Sequence, residues 1–246
     1  MNLTDKRKYI ELYTEKQVNL KQVTPMNKRT ALIFGSTGLI GNLLLEELIQ
    51  SEEYHEILIF VRQTNDISQS KVREFLVDFS SPAAFSGQIK GDDIFICLGT
   101  TIKKAGSVKK MEEIDRDLPV AIASFASANG VKRIAVVSAL GANPESSNYY
   151  LRIKGEMERD IQKLKFENIA IVRPSLLMGE RKEKRAGELL GKVVMKTFHP
   201  VLIGKMKKYR GIHGRDVARA MIAILQKPQE KTVYESDEVQ RIADIN

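Results

Sequence analysis

The sequence predicts an α/β fold: one doubly wound parallel sheet with helices on both faces. Three observations carry this reading. Runs such as Ala31-Leu32-Ile33-Phe34 and Ile57-Leu58-Ile59-Phe60 are apolar throughout rather than alternating, which is the pattern of strands covered on both sides. Helix-length segments with a 3.6-residue period separate these runs. A glycine cluster stands directly after the first run. Such alternation indicates βαβ crossovers and a parallel sheet.

Composition bounds the rest. With 246 residues, 43% hydrophobic and 28% charged, the chain is large enough to bury a core without metal or disulfide support. One cysteine excludes an intramolecular disulfide and a cysteine-only zinc site, and three histidines show no ligand spacing, so no metal is expected. No run of about 18 apolar residues exists for a membrane span. The first 25 residues are too polar for a signal peptide. These features together give a cytosolic location as the expectation.

Each element can then be justified in order. Residues 1–27 form a polar N-terminal extension, read either as a mobile or loosely docked segment or as a helix with Tyr9, Tyr13 and Leu20 on one face. The domain proper covers 28–246. A strand over 30–34 leads through the glycines into a helix over 39–49. A strand over 56–61 and a weaker one over 75–79 follow. The apolar run 93–98 is a fourth strand, with Cys97 inside it as a core residue. One long helix is expected over 108–129, stopping at Gly130 as a C-cap. A strand over 133–137, a helix over 150–164 and a strand over 169–172 come next. Asp216 is the expected N-cap of a helix reaching Leu225, with His213 structural. A loop-rich insertion occupies about 178–212.

Gly35-Ser36-Thr37-Gly38-Leu39-Ile40-Gly41 joins the first strand to the first helix. Glycines there permit a tight turn, close backbone approach to a pyrophosphate, and close packing of helix on strand. The helix start then turns unpaired N–H groups toward the phosphates. This arrangement predicts a dinucleotide site. At the end of the second strand stands Arg62, where a protein selective for NAD would place an acid to hold the ribose hydroxyls. An arginine there accommodates a 2′-phosphate, so NADP(H) is the preferred cofactor and NAD(H) the alternative. Asp78, ending the third predicted strand, is placed to accept from the adenine amino group.

The chemistry is concentrated after the fifth strand. Ser138 follows it directly, facing the crevice where ligands collect in such sheets. Tyr150 and Lys154 lie one helical turn apart on one face. A cation beside a phenol favours the phenolate, which makes Tyr150 a candidate general acid or base, with Ser138 holding the substrate oxygen.

These motifs resemble those of the short-chain dehydrogenase/reductases. More narrowly, they are similar to an atypical subgroup that includes the Tat-interacting oxidoreductase-like NAD(P)-binding proteins. The matching text is the glycine loop, Cys97-Leu98-Gly99-Thr100-Thr101, Val137-Ser138-Ala139-Leu140-Gly141-Ala142, Tyr150 through Glu156, Val172-Arg173-Pro174-Ser175 and His213-Gly214-Arg215-Asp216-Val217-Ala218. The resemblance implies a Rossmann-type fold and a catalytic Ser138–Tyr150–Lys154 triad, with Lys154 also binding the nicotinamide ribose. It implies that Leu98, Gly99, Thr100 and Thr101 border the cofactor, and that Pro174 and Ser175 border the nicotinamide. The implied activity is NADP(H)-dependent carbonyl/alcohol oxidoreduction. Nucleotide sensing without turnover, and an epimerase- or dehydratase-like reaction, are the alternatives. One departure stands out. Many members carry an asparagine in the helix after the fourth strand that anchors a proton-relay water, and here that stretch reads Glu113-Ile114-Asp115-Arg116.

The net charge is +8. With no Trp and 7% aromatics, a stacking nucleic-acid surface is not supported, and an anionic cofactor or anionic small-molecule substrate is favoured. Basic clusters at Lys103-Lys104, Lys109-Lys110, Arg181 to Arg185 and Lys205 to Lys208 read first as solvated faces. Peripheral membrane contact, helped by Leu189, Leu190, Val193, Val194 and Phe198, is the less favoured reading. By analogy with the family, a homodimer through the helix carrying Tyr150 is expected.

Overall fold

The computed structural model describes residues 28–65, 67–178, 204–227 and 230–245. The N-terminal extension, most of the predicted insertion and its Arg181–Arg185 and Leu189–Phe198 features lie outside these residues.

Among the described residues a seven-stranded sheet runs in the order β3-β2-β1-β4-β5-β6-β9, and every pairing in it is parallel. Its strands are β1 (Arg29–Phe34), β2 (Tyr54–Val61), β3 (Val72–Leu76), β4 (Asp93–Ile96), β5 (Arg133–Val137), β6 (Asn168–Arg173) and β9 (Val233–Glu235). A small parallel pair, β7 (Leu177–Met178) and β8 (Ile212–His213), lies apart from it. The helices are α1 (Leu39–Gln50), α2 (Ile102–Ala105), α3 (Val108–Glu112), α4 (Leu118–Ala128), α5 (Tyr149–Ile161), α6 (Gly214–Gln226) and α7 (Ser236–Ile245).

Alternate residues of the same strand enter opposite cores. Ala31 and Ile33 of β1, Ile57 and Ile59 of β2 and Phe95 of β4 pack with Leu44 and Leu48 of α1 and Val217 and Met221 of α6. Leu32 and Phe34, Leu58 and Phe60, and Ile94 and Ile96 face the other way, against Phe85, Ile122 and Ala126 of α4, and Met157 and Ile161 of α5. Two cores explain why the strands read as unbroken apolar runs.

Several elements differ from expectation. The third strand ends at Leu76, because the partly buried Phe75 is its last inward residue and Asp78 already belongs to a turn closed by Ser80. The single long helix is divided: α3 passes through a π-helical turn, Glu113–Asp117, into α4. Pro119 explains the break, since its ring has no N–H to donate and presses on the carbonyl four residues back, that of Asp115. Wide turns of this kind recur at functional sites. The end of α4 is as expected: Gly130 is left-handed at φ 83°, and the Val131 N–H closes on the Ala126 carbonyl at 3.0 Å. The last strand of the sheet, β9, has no sequence signal, because its three residues, Val233-Tyr234-Glu235, carry no period; α7 follows it directly. Cys97 lies just beyond β4 rather than inside it.

At the amino ends of the strands Asp93 is fully buried. It accepts from the Tyr54 hydroxyl at 2.6 Å and pairs with Arg29 at 3.2 Å and with Arg133. Burial, reinforced by Asp93, holds the Tyr54 phenol far above its ordinary range, so it acts as a neutral donor. Asp93→Ala would strand that donor and the Arg133 guanidinium, and would leave Arg29 only Glu53 at 3.5 Å; both guanidinium groups are about one-fifth exposed. We expect a loss of about 3 kcal/mol in urea unfolding, the low end for breaking a buried pair. Cofactor affinity should not change, because the cluster is at the opposite end of the strands from the site below. A loss under about 1 kcal/mol would contradict this account.

Candidate active site

The strand order changes direction at β1, which has β2 on one side and β4 on the other. Chains leaving β1 and β4 therefore part in opposite directions and open a crevice at their carboxyl ends. One large cleft lies there. It encloses about 2490 Å³, well beyond the roughly 300–1,000 Å³ of an ordinary small-molecule site. That is room for a dinucleotide and a second molecule together.

The glycine loop forms one wall, with Gly35, Ser36, Thr37, Gly38, Leu39 and Ile40 on its surface. Gly35 takes φ 91°, and a Cβ there would stand 2.7 Å from the Cys97 carbonyl oxygen; this glycine lets the two parting chains touch. Gly41 does not line the cleft. It sits beneath the loop, where a Cβ would lie 2.7 Å from the Gly35 carbonyl carbon and closer still to its oxygen. Gly38 caps α1 with extended backbone and no side-chain hydrogen bond. The first amides of α1 are thus left for a ligand, and no acid occupies that turn to compete.

Arg62 is exposed on the cleft rim directly after β2. Asp78 borders the cleft too, but its carboxylate accepts from the Ser80 N–H at 2.9 Å and the Ser80 hydroxyl at 2.7 Å, so its first duty is the turn. Leu98, Gly99 and Thr100 line the wall after β4, whereas Thr101 does not. Thr101 is the N-cap of α2, its hydroxyl accepting from the Lys104 N–H. Cys97 also lines the cleft while packing against the core, and burial pushes its thiol up to about 12, far from the thiolate that reactivity requires. Pro174 and Ser175 also line the cleft. The Ser175 hydroxyl, however, donates to the Arg210 carbonyl and accepts from Ser236 at 3.0 Å, tying β6 to α7. His213 lies at the rim and is itself the N-cap of α6. Asp216, expected as that cap, instead stands in the first turn and accepts from Gln240 at 3.0 Å.

Ser138, Tyr150 and Lys154 all line this same cleft. Ser138 is only 4% exposed, and its hydroxyl has no protein partner. Ser36 in the glycine loop is in the same condition. Buried hydroxyls left unpaired are costly unless something else completes them. Both line the cleft, one in the glycine loop and one directly after β5. A bound dinucleotide and substrate fit that need.

Tyr150 is 37% exposed toward the cleft. Its neighbour Tyr149 points away: the hydroxyl donates to Glu112 at 2.5 Å and Arg152 lies over the ring. Asn148 caps α5 by accepting from the Leu151 N–H at 3.1 Å. Gly155 lets α5 press on the loop that follows Ser138, since a Cβ there would come within 2.7 Å of the Asn143 Cα and nearer to Pro144. That contact sets the serine's loop against the tyrosine's helix. The Lys154 ammonium is buried and lies 3.0 Å from an oxygen of Asp115, itself fully buried. Burial would push this lysine down; the Asp115 carboxylate and the Tyr150 phenol outweigh it and raise it above the ordinary value. In the sequence Asp115 stands out only as the residue found where many family members carry an asparagine. The spacing of Pro119 to Asp115 was the available signal for its inward turn.

A parallel sheet with this order and a glycine-loop cleft holding a serine, a tyrosine and a lysine define a dinucleotide-binding protein of the short-chain dehydrogenase type. The chain belongs to the NAD(P)H-binding family, whose model matches residues 35–228. It is 31% identical over 182 residues to Protein HTATIP2 of Rattus norvegicus, covering 72% of this chain and 75% of that protein. It is 36% identical over 162 residues to Protein FMP52, mitochondrial, of Candida glabrata, covering 66% and 70%. Among solved structures, Bordetella bronchiseptica WbmG in complex with NAD superposes at a TM-score of 0.64 with 14% identity, covering 91% of this chain and 78% of that one. The UDP-N-acetylglucosamine 4-epimerase of Methanobrevibacter ruminantium, in complex with UDP-N-acetylmuramic acid, gives 0.63 with 12% identity, covering 84% and 75%. At such identity these two speak for the fold.

The relatives also correct the cytosolic expectation. FMP52 proteins of Candida glabrata, Eremothecium gossypii, Candida albicans and Saccharomyces cerevisiae are all named mitochondrial. A low cysteine count reports a reducing environment, not which compartment supplies it, so it could not have told one from the other.

Proposed function

We propose that this protein is an NADP(H)-dependent oxidoreductase acting on a carbonyl/alcohol substrate, with Tyr150 as the proton donor or acceptor. The observation carrying this reading is the buried, unpaired Ser138 hydroxyl in the cleft that also holds Tyr150 and Lys154. The glycine loop and the amides of α1 would hold the pyrophosphate, and the nicotinamide would supply or accept hydride when bound. Ser138 donates to the substrate oxygen and polarises it. Tyr150 gives that oxygen its proton in reduction and takes it back in oxidation. Lys154 holds its charge beside the phenol and reaches the ribose. Lys104 on the rim, with Lys110 beside the cleft in an ion pair with Glu113 at 2.7 Å, and the net charge of +8 favour an anionic small molecule. The names of the yeast relatives support a mitochondrial location for this chain as well.

The test is NADPH oxidation against a panel of carbonyl compounds, with Tyr150→Phe as the control. A Tyr150-dependent rate supports the reading. Cofactor binding at micromolar concentration with no such rate on any compound would favour a nucleotide-sensing role instead. The finer claim, NADP(H) over NAD(H), rests on Arg62 and on the lack of an acid beside it. Arg62→Ala should weaken NADPH about ten- to a hundredfold and leave NADH within about threefold, since a charge-assisted contact is worth roughly 1.5–3 kcal/mol. Titration calorimetry with both cofactors reads this directly. Equal wild-type affinities would remove the preference.

A further inference from the structure

The cleft has two unlike walls. The lining that follows β2, β3 and β4 is ionic, with Arg62, Asp78, Lys104, Lys110 and Glu113 among its side chains. Among the described residues, the lining that follows β5 and β6 carries three basic groups and no acid. Two of the three are engaged: Lys154 meets Asp115 at 3.0 Å, and Arg215 reaches Glu46 at 2.7 Å and Glu47 at 2.5 Å. The third, His213, is exposed at the rim.

The rest of this second wall is largely aliphatic. Leu140 stands two residues after Ser138, Leu151 follows Tyr150, and Leu176, Leu177 and Met178 continue the chain beyond β6; all five are half-buried. Among the described residues, Leu140, Leu151, Leu176 and Met178 pack in neither core of the sheet. The wall is braced from behind. β7 pairs with β8, Leu177 opposite Ile212 and Met178 opposite His213, and a Cβ on Gly211 would come 2.9 Å from the Met178 sulfur. Aliphatic surface held beside a reacting centre gains free energy only when something apolar removes it from water.

A molecule rich in hydroxyls suits this wall poorly. Ser138 and Tyr150 are taken by the reacting oxygen, and the Ser175 hydroxyl is engaged by Arg210 and Ser236. Further hydroxyls would be buried without partners, which is costly.

We propose that this wall is the substrate's binding surface and that the substrate is an aliphatic aldehyde or ketone. Its chain lies along Leu140, Leu151, Leu176, Leu177 and Met178, with the carbonyl at Ser138 and Tyr150. The proposal rests on the reading of those two groups as the reacting centre. The ionic wall remains for the cofactor's phosphates and for an anionic head, where the same molecule carries one.

Octanamide and butanamide are the probes, because an amide keeps the carbonyl and is not reduced. Their dissociation constants are read by titration calorimetry on the NADPH-saturated protein. Each methylene taken out of water is worth about fourfold in affinity, so four more should tighten octanamide at least about thirtyfold over butanamide. Met178→Asn should shrink that ratio at least about fivefold. Wild-type affinities within about threefold of each other would overturn the proposal, a result that needs no variant. So would a ratio that a folded Met178→Asn protein leaves intact. Should Tyr150→Phe leave octanal-dependent NADPH oxidation unchanged, the catalytic reading fails, while the amide ratio measured in that same variant still decides what the wall takes.

Discussion

Tyr150→Phe should reduce carbonyl-dependent NADPH oxidation by about 10²- to 10⁴-fold, the span of a positioned general acid, while the NADPH dissociation constant stays within about threefold. The separation follows from geometry. The ring of Tyr150 lines the cleft with 37% of its surface exposed, so its loss opens no core cavity. The Lys154–Asp115 pair beneath it does not use the phenol oxygen as a partner. Steady-state rates and titration calorimetry on the same preparation check both halves. A rate within about fivefold of wild type would make Tyr150 a bystander, and weakened binding with an equal fall in rate would make it a cofactor contact.

Gly41→Ala should have the second large effect, on binding rather than chemistry. The new methyl would meet the Gly35 carbonyl, its carbon at 2.7 Å and its oxygen nearer. Backbone cannot rotate away as a side chain can. The same oxygen accepts the Gly38 N–H at 3.0 Å, so the whole turn must open and carry the α1 amides out of line. We expect NADPH affinity to fall at least about a hundredfold, roughly 2.7 kcal/mol, together with about 1–3 kcal/mol of stability from overpacking. Gly38→Ala is the contrast, because its Cβ would lie 3.4 Å from the same oxygen, an ordinary contact. Its stability should stay within about 0.5 kcal/mol of wild type. Equal stability losses in the two variants would show that crowding at Gly41 is not the cause.

How much of this was legible beforehand differs from element to element. The strands of the central sheet were, because Ile57-Leu58-Ile59-Phe60 must bury on both faces and only a covered parallel strand satisfies that. The glycine loop was legible through its place between strand and helix, and Gly130 through its need for left-handed backbone. Tyr150 and Ser138 could be found because a helical turn and a strand end place them without reference to distant residues. The family resemblance puts Thr101 and Ser175 beside the cofactor and chain position puts Asp78 there, yet each of their side chains engages a neighbour first: a helix N–H, the Arg210 carbonyl, or Ser80. Hydrogen bonds of that sort compete with a ligand for the same atoms, and no period in the chain records who wins. The break at Asp115 was visible only as a proline four residues on.

What is written locally, then, is the covered sheet, the phosphate turn and the tyrosine–lysine face of one helix, since each follows from backbone geometry and burial within a few residues. The partner of that lysine is not. Asp115 meets Lys154 only because α5 and the π-helical turn close over both, and two charges attract strongly enough to matter only where packing has excluded water.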